Sequence, residues 1–130
     1  MTKQEHIKYW IDSSEEDWKV VWTLFESENF VYSLFFAHLV LEKLTKAIWV
    51  NSNEGNIPPK VHNLVYILEK ANFKIPDSKK DFLILMNNFQ IEGRYPDYRQ
   101  KVYKLYEKNN TQSILNQVKE YREWLLNLAR

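Results

Sequence analysis

The sequence predicts an all-α protein, an up-and-down bundle of about five helices. Only two glycines and four prolines occur among 130 residues, too few for the many turns of a β protein. Hydrophobic residues make up 45% of the chain and include five Trp, eight Tyr and seven Phe, enough for a small helical core. Apolar residues also recur at intervals of three and four along most of the chain. The length predicts one domain spanning residues 1–130.

The first helix is expected at residues 3–26, where apolar side chains keep one helical phase from Ile7 to Phe25. Asp12, Ser13 and Ser14 interrupt this stretch with residues that often cap helices, and Ser13 with Glu16 could begin a second helix. Because the apolar phase continues through the interruption, one uninterrupted helix is predicted.

Residues 30–50 predict a central helix that is apolar on two sides. At 100° per residue one broad face holds Phe30, Leu34, Phe36, Ala37, Val40, Leu41, Leu44, Ala47 and Ile48. The opposite arc carries charged residues, yet Phe35, Leu39 and Trp49 lie among them. This second face needs a partner subunit, a ligand or cover from elsewhere in the chain. Phe35, Leu39 and Trp49 are therefore candidates for a dimer interface.

The remaining elements are shorter. Residues 51–62 read as a loop, and a short helix follows at 64–71 with Asn63 or His62 near its start. Asp77 or Ser78 can cap the next helix, which Gly93 should end. Residues 98–106 have only weak helical spacing, and the final helix is expected at about 112–129.

Composition excludes several classes of protein. The chain has no cysteine, so disulfides and thiolate chemistry are excluded, and a reducing compartment fits. No signal peptide is visible, and the central helix carries three charges and a histidine, which argues against a membrane span. The cytoplasm is the expected location, with no membrane association. Residues 1–30 hold three lysines against seven carboxylates, whereas residues 94–108 hold five basic residues against two acidic ones.

Several kinds of active site have no candidate residues. The three histidines, His6, His38 and His62, are far apart in sequence, and a zinc site requires three or four clustered ligands. His38 and Glu42 form an i, i+4 pair that could hold a metal, but a hydrogen-bonded pair explains it as well. No nucleophile elbow and no phosphate-binding glycine loop are present. We predict no catalytic residue, no metal and no cofactor.

A set of polar residues remains that could bind an anion: Glu42, Lys43, Lys46, Arg94 and Asp97. An Arg guanidinium binds phosphate through two hydrogen bonds, and a Lys adds a point charge beside it. Tyr32, Tyr95 and Tyr98 could stack on a base. The alternative is structural, with Arg94 paired to Glu42 or Asp97 to fix the packing of the helices.

Three segments in order resemble the HEPN domain, a small helical domain named for higher eukaryotes, prokaryotes and nucleotide binding. They are FFAHLVLEKLTKAI (35–48), the His-Asn-Leu helix start at 62–64, and Arg-Tyr-Pro-Asp at 94–97. The resemblance covers nearly the whole chain and implies a bundle of about five helices that pairs as a homodimer. Many relatives have Gln where this chain has Leu39.

The resemblance also implies a function. Such domains are often encoded beside a minimal nucleotidyltransferase as a toxin–antitoxin module, and ribonuclease members carry an Arg followed after four to six residues by a catalytic His. Here Arg94 is followed at those distances by Arg99, Gln100 and Lys101. The expectation is a non-catalytic dimer that binds a nucleotide or RNA through Arg94, Asp97, Tyr95, Glu42 and Lys43 or Lys46. A ribonuclease toxin and a purely structural dimerisation module are the alternatives.

Overall fold

The computed structural model describes residues 1–94 and 105–130, and the side chains of residues 1–90 and 105–130. Five helices run through these ranges: α1 (Lys3–Glu26), α2 (Phe30–Ser52), α3 (Leu64–Lys70), α4 (Asp77–Arg94) and α5 (Lys108–Ala129). The described ranges contain no strand. The predicted all-α helical bundle is confirmed.

Helix α1 is continuous, as the apolar phase predicts. It begins with a capping box in which the Thr2 hydroxyl accepts from the Glu5 backbone N–H and the Glu5 carboxylate accepts from the Thr2 N–H. Ser13 and Glu16 do not begin a second helix. The neighbouring Ser14 is fully buried, and its hydroxyl donates to the Ile11 carbonyl at 2.6 Å within the same helix. A small side chain at this position lets α1 pack closely on its neighbour.

Helix α2 is the centre of the bundle and packs against all four other helices. Most of its predicted core face is buried, with Leu34, Leu41 and Leu44 completely so. Phe30 and Phe36 of the same face are half-buried and pack against the core. The Ser33 hydroxyl donates to the Val21 carbonyl at 2.9 Å, which joins α2 to α1 where the two helices are in contact. The helix ends at Ser52, two residues beyond the predicted end.

A lysine at the start of α1 binds carbonyl groups at the C-terminal end of α2 and in the loop that follows. The three N–H groups of the Lys3 ammonium are shared among four oxygens: the carbonyls of Val50 at 2.9 Å, Asn53 at 2.7 Å and Gly55 at 3.0 Å, and Asn56 Oδ1 at 2.9 Å. The last carbonyls of a helix have no partner within the helix, and a cation is favoured there. Lys3 therefore fixes both the end of α2 and the first residues of the loop.

The final helix begins earlier than its apolar spacing predicts. Helix α5 starts at Lys108 and not near residue 112, because Glu107 and Asn110 form a reciprocal capping box. Residues 108–110 are polar, so periodicity alone gives no signal for them. The weak helical spacing noted at 98–106 falls almost entirely outside the described residues.

Candidate functional site

Glu42 is a buried carboxylate with two partners. Its Oε1 lies 2.9 Å from Nδ1 of His62, and its Oε2 lies 3.1 Å from the ammonium of Lys46. The Glu42 side chain is only 6% exposed and that of Lys46 only 10% exposed. Removing two such charges from water is costly unless each is paired and hydrogen-bonded. Glu42 and Lys46 satisfy this condition in the interior of the bundle.

His38 lies one turn before Glu42 on α2 and contacts the segment that carries His62. Its Nε2 donates to the His62 carbonyl at 2.9 Å, which fixes the tautomer with the proton on Nε2. Burial lowers the pKa of His38 to about 4, although the charge of Glu42 and the His62 carbonyl act in the opposite direction. His38 is thus neutral at pH 7, and its Nδ1 makes no hydrogen bond with any described residue.

The segment that carries His62 is held by two asparagines. Asn63 caps α3, its Oδ1 accepting from the Tyr66 N–H at 3.1 Å. Asn87 reaches across from α4, accepts from the Leu64 N–H at 3.0 Å and donates to Asn63 Oδ1 at 3.2 Å. Together with the contact from His38, these bonds fix the backbone on both sides of His62.

A surface cleft of about 460 Å³ opens beside His62, between its segment and α4. We refer to it as the His62 cleft; its lining residues are Lys60, Val61, His62, Asn63, Asn87, Asn88 and Gln90. The His62 side chain is 43% exposed, although its Nδ1 is bonded to a carboxylate that is almost fully buried. The other ring nitrogen, Nε2, is therefore the atom that His62 offers to a ligand.

The structure brings two of the predicted polar residues together and separates a third. Glu42 and Lys46 form the buried pair, and the Lys46 ammonium also lies 5.4 Å from the centre of the Trp10 ring. Lys43 points toward α1, where it donates to Ser13 at 2.7 Å and pairs with Asp17 at 2.7 Å. Both lysines thus have partners within the chain.

The predicted residues near the end of α4 are described only in part. Arg94 is the last residue of α4, and nothing is described of its side chain. Seven residues separate it from Asn87, so the two positions fall on nearly the same face of the helix. Tyr95, Asp97 and Tyr98 lie outside the described residues.

The candidates for a dimer interface are less exposed than the sequence suggests. Phe35, Leu39 and Trp49 are each half-buried within the single chain. Trp49 packs against the core, and its ring approaches Gly55 of the loop. Tyr32, proposed as a stacking surface, is also half-buried. Part of the second face of α2 is therefore covered by other segments of the same chain.

Two further expectations concern metals and membranes. No described group of three or more His, Asp or Glu side chains is placed to hold a metal ion. The Nε2 atom of His38, half of the possible metal pair, is engaged with the His62 carbonyl. None of the described helices combines the length and the apolar composition that crossing a bilayer requires.

Sequence reasoning missed the pairing of His62 with Glu42, because it placed His62 only as a residue near the start of α3. A signal was nevertheless present. A glutamate within the most apolar helix needs partners, and Lys46, one turn along α2, is bonded to only one of its two oxygens. The nearest histidine in sequence outside α2 is His62, just before the short helix α3.

The comparisons agree with this architecture. A family model described as HEPN domain matches residues 7–128, which is nearly the whole chain. No curated protein and no solved structure matches the chain.

Proposed function

Because this chain belongs to the HEPN domain family, we propose that it is a non-catalytic, homodimeric module that binds a nucleotide or RNA and docks with a minimal nucleotidyltransferase. Membership of the family supports a nucleotide- or RNA-related role in general. The observation that carries the proposal is the match over residues 7–128, together with a polar cleft along the face of α4 on which Arg94 falls. Such a protein would serve in a system of toxin–antitoxin type.

Arg94 is the residue that we propose as the anchor for the ligand. Residues 94–108 carry an excess of basic side chains, which favours an anion near this end of α4. The lysines of α2 contribute less, because Lys43 is paired with Asp17 and Lys46 with Glu42. Tyr95 and Asp97 are further candidates for contacts with the nucleotide.

Homodimerisation is supported by large apolar side chains that the single chain leaves exposed. Tyr66 on α3 and Ile84 and Leu85 on α4 are among the exposed large hydrophobic residues. Phe35 and Leu39 of α2 are only half-covered. A second copy of the chain could bury such surface.

Calorimetric titration tests the binding role directly. Purified protein is titrated with ATP, GTP and a short single-stranded RNA, and saturable binding of at least one is expected. Absence of binding to all three would refute the nucleotide role and leave a dimerisation module. Co-purification with the nucleotidyltransferase encoded in an adjacent reading frame tests the partnership separately.

A ribonuclease is the second candidate, and the contact between His62 and Glu42 favours it. With Nδ1–H bonded to a carboxylate, Nε2 of His62 carries a lone pair that would accept the proton of a ribose 2′-hydroxyl. An RNA cleavage assay with nuclease-free protein decides between the candidates. Cleavage by the wild type that is lost in His62→Ala would establish the ribonuclease, whereas intact RNA supports the non-catalytic module.

A further inference from the structure

The His62 cleft has the size of a small-ligand site. Its volume of about 460 Å³ lies within the range of ligand-binding pockets, roughly 300–1,000 Å³. We propose that this cleft binds a nucleoside phosphate, with the phosphate on His62 and Lys60 and the base against the amides of Asn63 and Asn88. The inference rests on the proposed function and names residues other than Arg94 that would hold the ligand.

The charges around the cleft favour a phosphate. Beneath the cleft, the negative charge of Glu42 is balanced by Lys46, and His38 is neutral. The charge of this cluster is therefore balanced, and the exposed Lys60 adds a positive charge at the rim of the cleft. The residues that line the cleft include no carboxylate. A phosphate in the cleft would thus meet the ammonium of Lys60 and the Nε2 atom of His62, with no carboxylate among the lining residues.

The amides of the cleft suit a nucleobase. Asn side chains offer both donors and acceptors, as the edges of bases do. Asn63 accepts two hydrogen bonds at Oδ1, so its amide N–H groups remain for a ligand, while Asn88 is exposed on α4. A site for inorganic phosphate alone would not require amides beside the cations.

The cleft is also organised before any ligand arrives. The His62 ring is oriented by Glu42 at 2.9 Å, and its carbonyl is held by His38 at 2.9 Å. Two residues after His62, the N–H of Leu64 donates to Asn87 Oδ1 at 3.0 Å. Binding would order few additional groups, which lowers its entropic cost.

The test compares AMP, a short single-stranded oligoribonucleotide and inorganic phosphate as ligands of the intact protein. Calorimetry with the wild type and His62→Asn measures the contribution of the imidazole, and His6→Asn on α1 is the matched control. We expect His62→Asn to weaken the binding of AMP or the oligoribonucleotide by about 10- to 100-fold, the scale of a charge-assisted hydrogen bond. His6→Asn should bind as the wild type does.

A second pair of variants avoids disturbing Glu42. Asn88→Asp places a carboxylate at the exposed rim of the cleft, and Asn127→Asp makes the same change at an exposed position on α5. We expect Asn88→Asp to weaken binding at least several-fold and Asn127→Asp to have little effect. Thermal melts of all four variants establish that each is folded.

The outcomes separate the inference from the proposed function. Tight binding of AMP alone identifies a free nucleotide as the ligand, and binding of the oligoribonucleotide alone identifies an RNA strand; both support the cleft. Wild-type binding that survives His62→Asn and Asn88→Asp refutes the cleft and leaves the binding function at another site. Inorganic phosphate bound as tightly as AMP refutes the role of the amides. A wild type that binds none of these ligands refutes the proposed function itself.

Discussion

The imidazole of His62 donates through Nδ1 to Oε1 of Glu42 at 2.9 Å, although twenty residues and a loop separate the two positions. This contact joins a half-exposed side chain to one that is only 6% exposed. It has two consequences. The Glu42 carboxylate gains a second hydrogen bond in the interior, and the His62 ring is held with its other nitrogen toward the cleft.

The first prediction concerns the buried pair of α2. Lys46→Met leaves the Glu42 carboxylate in the interior without its cation. This variant should therefore lower the free energy of unfolding by about 3 kcal/mol. The double variant Glu42→Gln with Lys46→Met removes both charges and should be less destabilised than Lys46→Met alone. Urea denaturation followed by circular dichroism measures these differences.

The control for this prediction is the exposed i, i+4 pair of α1. Lys8 and Asp12 have the same spacing as Lys46 and Glu42, but their side chains are 75% and 60% exposed. Lys8→Met should therefore leave stability nearly unchanged. Equal losses in Lys8→Met and Lys46→Met would contradict the assignment of a stabilising role to the buried pair.

The second prediction concerns pH. Burial lowers the pKa of His38 to about 4, whereas an unfolded His takes up its proton near pH 6.5. The unfolded chain therefore binds the proton first as the pH falls, and His38 should cost about 2 kcal/mol of stability between pH 6.5 and 5. The stability of the folded chain is unaffected by this proton above pH 6.5, and it falls progressively as the pH is lowered toward 4.

Denaturation of His38→Gln between pH 5 and 7.5 measures this contribution. Gln keeps an N–H donor for the His62 carbonyl but does not titrate, so stability should fall less steeply with acidification than in the wild type. His6→Gln, on α1, should retain the wild-type slope. An unchanged slope in His38→Gln would show that other groups cause the pH dependence.

The third prediction concerns Arg94. If it contacts a phosphate, Arg94→Ala should weaken nucleotide binding by about 1.5–3 kcal/mol and leave the melting temperature unchanged. Calorimetry and thermal melts of wild type and variant measure both quantities, with Arg130→Ala as a control for net charge. A lower melting temperature without any change in binding would instead assign Arg94 to helix packing. Both oxygens of Glu42 already have partners. If Arg94 acts in helix packing, we therefore expect it to pair with Asp97 and not with Glu42.

The fourth prediction concerns the homodimer. Light scattering should give a dimer at micromolar concentration, and Phe35→Glu should dissociate it if the second face of α2 lies at the interface. Tyr9→Glu, at a residue 53% exposed on α1, should remain dimeric. A monomeric wild type would refute the dimer.

The helices were predictable because each is encoded by local signals. The limits of α1 follow from its apolar phase, and the start of α3 follows from Asn63 as a cap. The early start of α5 was not predictable from periodicity, because the capping box of Glu107 and Asn110 precedes its first apolar residue. Periodicity assigns a residue to a face of a helix and does not identify what covers that face.

The candidate site shows this limit most clearly. The sequence singled out Glu42, Lys43 and Lys46 as one set, but adjacent positions on a helix point about 100° apart. Lys43 consequently meets Asp17 of α1, while Lys46 turns toward Glu42 and Trp10. The second partner of Glu42 is His62, whose position depends on the path of the loop before α3. No local sequence pattern specifies that path.

The contacts of the Lys3 ammonium with four oxygens have a consequence for local opening of the structure. They connect the first turn of α1 to the loop at 53–56, segments that are far apart in sequence. Neither segment can separate from the other without exposing an ammonium and several carbonyls together. Amide hydrogens at the start of α1 and in this loop should therefore exchange with solvent as one cooperative unit. In Lys3→Met the two segments should exchange independently, and the loop should exchange faster.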